Sequence, residues 1–129
     1  MLSRMIATAA AGFLLFAGTA QAAPNDRAPR CFTTQFFNTW KAPDERTIYI
    51  RVGVHDFYRL DLATRCPALH AINPHLVTRW RGSNFVCSAL DWDLKVSRGV
   101  DLGADPCIVK TMTPLTNAEA DAIPRKFRP

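Results

Sequence analysis

The sequence predicts a small, mainly β protein. We expect a five-stranded antiparallel curled sheet or barrel, with one short C-terminal helix and two disulfides. The prediction rests on runs of alternating apolar and polar residues, on four cysteines, and on a length of 129 residues, which suits one domain. The hydrophobic fraction of 48%, with 21% charged residues, excludes collagen-like, coiled-coil and wholly disordered chains.

The N-terminal residues 1–22 have the organisation of an export signal. Arg4 precedes an apolar run over 5–17, and small residues ending at Ala22 follow it. This run is shorter than the about 20 apolar residues that cross a bilayer. Cys31 lies too far from the run to be the lipid-modified residue of a lipoprotein. We therefore expect cleavage after Ala22 and a periplasmic or secreted product whose mature chain has no transmembrane segment.

The rest of the chain divides into three parts. Residues 23–30 contain two prolines and no periodicity, which predicts a flexible leader. Residues 31–124 carry the strand patterns and form the single β-rich domain. Residues 125–129 form a short basic tail.

Alternation of apolar and polar residues locates the strands. One face of the second strand carries Ile48, Ile50, Val52 and Val54, and Gly53 begins the turn to the third. The clearest alternation covers 86–96 and predicts a long strand bent midway by a bulge. The five predicted strands cover residues 31–37, 47–54, 57–63, 86–96 and 107–112.

Helical structure is predicted at two short places. One is a turn over 67–72, and the other is a helix over 117–123, where Thr116 and Glu119 have the spacing of a capping box. Residues 73–84 are polar, with little periodicity, and are predicted to form an irregular loop.

Cys31, Cys66, Cys87 and Cys107 are expected to form two disulfides, because an even number of cysteines in an exported chain is typical of a disulfide framework. Three pairings are possible. If the strands run up and down in sequence order, the third ends where the fourth begins, and the first and fifth begin at the other end. This order favours Cys31–Cys107 and Cys66–Cys87. Pairing the first strand with the fifth would then remove the open edges of the sheet.

The cysteines and the motifs around them form a recognisable set. The set comprises Cys31-Phe32, Trp40, Asp44-Glu45, Arg46-Thr47-Ile48-Tyr49, Tyr58-Arg59-Leu60-Asp61-Leu62, Cys66-Pro67-Ala68-Leu69, Val86-Cys87-Ser88, Asp91 and Pro106-Cys107-Ile108-Val109. It resembles a family of short exported bacterial proteins catalogued as a domain of unknown function. The resemblance implies an envelope location and a four-cysteine β-rich domain, and it implies no catalytic residue.

The strongest binding motif is Arg79-Trp80-Arg81, in the predicted loop. A tryptophan between two arginines can stack on a ring while the guanidinium groups hold anions. In the alternative interpretation, Trp80 packs on the edge of the domain and both arginines stay in water. Without Arg4 of the signal, the mature chain has 15 basic and 11 acidic residues, and its net charge of +4 is too small to indicate nucleic acid as the partner.

Candidates for catalysis and metal binding are weaker. Asp91 and Asp93 are two residues apart on a predicted strand and could act as paired carboxylates in hydrolysis, or they could lie on a solvated face. His55, His70 and His75 lack the spacing of a metal site once the cysteines are committed to disulfides. We therefore assign no catalytic residue, metal or cofactor.

These observations predict a non-enzymatic exported module, stapled by two disulfides. Its expected partner is an envelope protein, an anionic glycan or a lipid headgroup. The alternative is a small secreted hydrolase, or an inhibitor of one.

Overall fold

The computed structural model describes residues 26–99 and 103–129. The predicted signal peptide, residues 1–22, and the first part of the leader, residues 23–25, lie outside the described residues. Within the described ranges, no helix has the length and apolar composition that crossing a membrane requires.

Most of the regular structure in these ranges is β. The nine strands found there are β1 (Phe32–Thr33), β2 (Phe37–Lys41), β3 (Thr47–Val52), β4 (Asp56–Leu62), β5 (His75–Trp80), β6 (Phe85–Val86), β7 (Trp92–Ser97), β8 (Ala104–Pro106) and β9 (Val109–Pro114). The short α-helix α1 covers Asn117–Ala122, and 3₁₀ turns cover Thr34–Phe36, Pro67–His70, Ala89–Asp91 and Arg125–Phe127.

The largest sheet has four antiparallel strands in the order β2-β3-β4-β9. Strands β3 and β4 form the predicted hairpin, in which Ile50 lies opposite Tyr58. Gly53 turns the chain between them with φ of 59°, a left-handed conformation that glycine adopts without steric cost. Strand β9 pairs with β4 and returns the C-terminal part of the chain to the sheet.

The predicted five-stranded sheet or barrel is wrong in its strand number and its closure. The nine strands of the described residues form three sheets, because β1 pairs with β6 and a separate sheet has the order β5-β7-β8. The predicted strand over 86–96 is interrupted by the Ala89–Asp91 turn. The predicted loop over 73–84 contains β5.

The break in the long alternation has a local cause. The Asp91 carboxylate accepts hydrogen bonds from the backbone N–H groups of Cys87 and Ser88, at 2.8 and 2.9 Å. Such side-chain bonds compete with a strand ladder and stabilise the turn instead. The strand pattern therefore resumes only at Trp92, where β7 begins.

The core lies beneath the four-stranded sheet and includes the predicted inward-facing residues. Ile48, Ile50, Tyr58 and Leu60 are fully buried, and together with their neighbours they form one apolar cluster. Val54, assigned by its spacing to the same face, lies in the β3–β4 turn and is 74% exposed. The alternation therefore predicts the buried face correctly up to the turn.

The predicted disulfide pairing is wrong. The structure joins Cys31 to Cys87 and Cys66 to Cys107, with Cα–Cα distances of 4.1 and 5.8 Å. The prediction assumed that strands follow one another in sequence order. Instead β1 pairs with β6, so that Phe32 lies opposite Val86 and the adjacent cysteines meet.

The leader and the tail are in contact with the domain where they are described. Ala28 is 8% exposed and donates its backbone N–H to the Leu115 carbonyl at 2.9 Å. Arg27 forms an ion pair with Glu119 at 3.2 Å. Arg128 of the basic tail pairs with Asp121 of α1 at 3.3 Å. Arg27 and Ala28 of the predicted leader are thus in contact with the C-terminal segment.

Candidate functional site

The predicted binding motif Arg79-Trp80-Arg81 lies at the end of β5, and its tryptophan faces the core. The Trp80 ring is half-buried, with its centroid 4.8 Å from that of Trp92 and 6.3 Å from that of Phe32. Arg79 lies opposite Asp93 in the β5–β7 register, and Arg81 approaches the same carboxylate at 4.0 Å. The indole therefore serves packing, and the two cations are close to one acid.

The two aspartates of the hydrolase hypothesis have separate surroundings. Asp93 lies in β7 near Arg81, whereas Asp91 ends a 3₁₀ turn. Hydrogen bonds from the backbone N–H groups of Cys87 and Ser88 hold the pKa of Asp91 below its usual value. A carboxyl with a lowered pKa is a poor proton donor at neutral pH, so Asp91 does not suit the role of a general acid.

The three histidines are distributed over the molecule. His55 lies in the β3–β4 turn, His70 ends the Pro67–His70 turn, and His75 begins β5. In the part of the chain that the structure describes, no group of three His, Cys, Asp or Glu side chains is arranged to hold a metal ion.

A groove of about 620 Å³ lies at one end of the four-stranded sheet, and we call it the end groove. Four chain segments converge on it: the turn before β3, the last residues of β4, the stretch around Cys66, and the start of β9. Its lining residues are Asp44, Glu45, Arg46, Thr47, Arg59, Asp61, Leu62, Arg65, His70 and Lys110.

Backbone contacts fix the shape of the end groove. The Leu62 N–H donates to the Arg46 carbonyl at 2.8 Å, and the Cys66 N–H donates to the Glu45 carbonyl at 2.7 Å. The Cys66–Cys107 disulfide joins the segment that carries Arg65 to the segment that leads into β9. The lining side chains therefore project from segments that are tied to one another.

Two of the carboxylates in the end groove are paired with arginines. Arg65 Nε lies 2.6 Å from Glu45 Oε2. Arg59 Nη2 lies 2.8 Å from Asp61 Oδ1, and this pairing raises the pKa of Arg59. Each of these two cations is thus locally neutralised.

The remaining charges in the end groove are not balanced. The Asp44 carboxylate accepts the backbone N–H of Arg46 at 2.7 Å. The side chains of Arg46 and Lys110 are exposed and form no ion pair with a carboxylate in residues 26–99 and 103–129. Their charges are therefore available to a ligand.

Sequence reasoning did not identify this site. Arg59, Asp61 and the pair Asp44-Glu45 appear there only within the set of motifs that carries the family resemblance. The polar alternation in β4 supplies Arg59 and Asp61, two of the ten lining residues. Lys110 joins them only because β9 pairs with β4, a contact between residues about 50 positions apart that no local pattern encodes.

Comparison with known proteins gives a family but no function. No curated protein matches the chain, and no solved structure matches it. A family described as a family of unknown function, DUF6491, matches residues 1–128. The cysteine motifs and the β-rich domain with two disulfides agree with what the resemblance in sequence implies. The chain therefore belongs to the family of unknown function DUF6491.

Proposed function

We propose that this protein is an exported, non-enzymatic module that binds an anionic partner in the cell envelope through the end groove. The observation that carries the proposal is the pair of exposed cations, Arg46 and Lys110, that line one groove without a carboxylate partner in the described residues. Arginine and lysine side chains bind carboxylate and phosphate groups through charge-assisted hydrogen bonds.

The geometry supports binding at this place more than at the Arg79-Trp80-Arg81 motif. Concave sites surround a ligand and reduce the solvent screening of its charges. Arg46 and Lys110 lie in a concave site, whereas Arg79 and Arg81 are exposed near Asp93. The end groove therefore combines its excess of positive charge with a concave shape, which the Arg79-Trp80-Arg81 motif lacks.

The alternative function, a small secreted hydrolase or an inhibitor of one, has less support. Its proposed catalytic pair consisted of Asp91 and Asp93. The Asp91 carboxylate is engaged by the backbone of its own turn, and Asp93 lies close to arginine. A binding role requires neither of these groups to exchange a proton.

Export rests on sequence and chemistry together. Residues 1–22 have the pattern of a signal peptide. Two disulfides without a free cysteine in the described part of the chain are typical of proteins that fold in an oxidising compartment, such as the periplasm. We therefore place the binding function outside the cytoplasm.

The test uses a ring-free polyanion, polyglutamate, at low ionic strength, with affinity measured by calorimetry on residues 23–129. We expect the double variant Arg46→Gln with Lys110→Gln to bind about tenfold more weakly, because two exposed ionic contacts together contribute about 1.4 kcal/mol. Adding salt should also lower the affinity of the wild type for polyglutamate, because salt screens ionic contacts.

The matched control is Arg79→Gln with Lys95→Gln, which removes the same charge from exposed positions on β5 and β7. We expect this variant to bind polyglutamate like the wild type. An equal loss of affinity in both double variants would show that binding depends on the net charge of the protein and not on the end groove. The proposal would also be refuted if the wild type did not bind polyglutamate.

A further inference from the structure

A second feature adjoins the end groove, on the outer face of the four-stranded sheet. Tyr49 in β3 lies opposite Lys41 of β2 on one side and opposite Arg59 of β4 on the other. Because Ile48 and Ile50 point into the core, Tyr49 projects from the opposite face. The three residues form a row across the sheet, an aromatic ring between two cations, which we call the Tyr49 row.

The Tyr49 row is continuous with the end groove. Arg59 belongs to both, and Thr47, two residues before Tyr49 on the same face, lines the end groove. Two residues along a strand span about 7 Å. A chain-like ligand could therefore place one unit on Tyr49 and the next in the end groove.

The C-terminal segment beyond β9 is packed against the domain. Leu115 donates its N–H to the Phe57 carbonyl at 2.9 Å and is buried, and Ala120 and Ile123 are buried as well. Tyr49 is only half-buried and Arg59 is exposed, so the Tyr49 row stays open to a ligand.

The polar groups between the row and the groove suit a ligand rich in hydroxyl groups. Asp61 Oδ1 accepts a hydrogen bond from Arg59 at 2.9 Å, and Asp61 Oδ2 accepts one from the Thr111 hydroxyl at 3.1 Å. A carboxylate accepts hydrogen bonds from the hydroxyl groups of a ligand, a guanidinium group donates hydrogen bonds to them, and a hydroxyl group can do both. Asp44, Glu45 and Asp61 are further acceptors for hydroxyl groups at the end groove, and a DNA phosphodiester backbone has no hydroxyl donor to offer them.

Building on the proposed function, we propose that the anionic partner is an acidic polysaccharide. A sugar ring stacks on Tyr49, its hydroxyls bind Asp61 and Arg59, and a carboxylate of a neighbouring unit binds Arg46 and Lys110. Aromatic side chains present an apolar face to a ring, and flanking cations hold the charged substituents. The hydroxyl groups that Asp61 and Arg59 can bind favour this class over single-stranded DNA, whose phosphodiester backbone has none.

The experiment compares oligogalacturonate with polyglutamate of equal charge, by calorimetry on residues 23–129. We expect the wild type to bind oligogalacturonate about tenfold more tightly, the ratio that one stacked ring supplies. Tyr49→Leu should remove this preference and Tyr49→Phe should retain it. The affinity of each variant for polyglutamate reports whether the end groove still binds anions.

A second measurement needs no variant. The chain contains two tyrosines, and Tyr58 is fully buried, so an intermolecular nuclear Overhauser effect between sugar and tyrosine-ring protons reports on Tyr49 alone. We expect this effect with oligogalacturonate.

The outcomes separate the two proposals. If polyglutamate binds but oligogalacturonate shows neither preference nor contact with tyrosine, the saccharide proposal is wrong and the anion-binding function stands. If neither polymer binds, both proposals fail. Tighter binding of an oligothymidylate than of oligogalacturonate would assign the surface to single-stranded nucleic acid instead.

Discussion

Tyr58 is fully buried at the centre of the four-stranded sheet, and its hydroxyl donates a hydrogen bond to the Pro29 carbonyl at 2.8 Å. The residue therefore connects the core to the segment that precedes the first cysteine. Burial raises the pKa of Tyr58 to about 12, and the charge of Asp56 acts in the same direction. The neutral phenol is the form that the folded protein retains.

Replacing Tyr58 with phenylalanine tests this role. At neutral pH we expect a loss of about 1 kcal/mol in the free energy of unfolding, because one hydrogen bond is removed and the Pro29 carbonyl loses its partner. The folded pKa lies above the usual value of 10.0, so the contribution of the neutral phenol is present below pH 10 and is lost as pH rises towards 12.

The measurement is urea unfolding at a series of pH values from 7 to about 11. Wild-type stability should fall at the alkaline end, and the fall should be smaller in Tyr58→Phe. Tyr49→Phe removes a phenol from the outer face and serves as the control. An alkaline slope that is identical in wild type and Tyr58→Phe would contradict the assigned role of this phenol.

At the level of elements, α1 is the one whose sequence signal and structure agree best. Thr116 Oγ1 accepts the Glu119 N–H at 3.1 Å, and the Glu119 carboxylate accepts the Thr116 N–H at 2.7 Å. The predicted capping box is therefore present. These contacts lower the pKa of Glu119, with the backbone bond as the largest cause, so its contribution to stability is lost as the pH falls below the usual value of 4.5.

Thr116→Ala removes the cap, and we expect the free energy of unfolding to fall by about 1 kcal/mol, since an unsatisfied N-cap costs about that amount. A six-residue helix has little stability of its own, so the loss should appear as fraying of the C-terminal segment. Amide exchange of residues 117–123 measures the fraying, and urea unfolding measures the loss of free energy.

Thr64→Ala is the matched control, because Thr64 is exposed in a loop. This variant should leave both amide exchange and unfolding close to those of the wild type. If Thr116→Ala exchanged no faster than Thr64→Ala, tertiary packing rather than the capping box would hold α1 in place.

Other elements were predicted less well, for identifiable reasons. The sequence predicts a loop where β5 lies, because the half-buried residues of this strand, Leu76, Thr78 and Trp80, are not uniformly apolar. The long alternation over 86–96 was assigned to one strand because the capping interactions of Asp91 leave the apolar periodicity intact while they turn the backbone. Periodicity reports which face is buried, but it does not report where a ladder is broken.

At the scale of the whole molecule, the disulfides connect distant parts of the fold. Cys31–Cys87 and Cys66–Cys107 span 56 and 41 positions in sequence. On the chain-entropy estimate, each closure destabilises the unfolded state by about 4 kcal/mol. That is a large share of the stability of a domain of this size. The second bridge also joins two segments that line the end groove.

The two disulfides should differ in their reduction under native conditions. Cys31 is exposed, whereas Cys66 and Cys107 are each 3% exposed. Because a thiolate must reach a sulfur atom to exchange with it, we expect Cys31–Cys87 to be reduced first. Limited treatment with reductant, followed by alkylation and peptide mapping, determines the order.

In urea the two bridges should be reduced at similar rates, which provides the control. Binding of polyglutamate should persist after reduction of Cys31–Cys87 and weaken after reduction of Cys66–Cys107. Early alkylation of Cys66 or Cys107 in the native protein, or a peptide that joins Cys31 to Cys107, would overturn this assignment.

By itself the sequence determined the mainly β class, the β3–β4 hairpin, its buried face and the cap of α1. Each of these depends on neighbouring residues whose alternation, turn chemistry or spacing acts locally. Tertiary structure decided the division into three sheets, the pairing of the cysteines and the presence of Arg46 and Lys110 in one groove. These depend on which strands pair across long stretches of chain, and pairing is selected by burial and loop closure over the whole molecule.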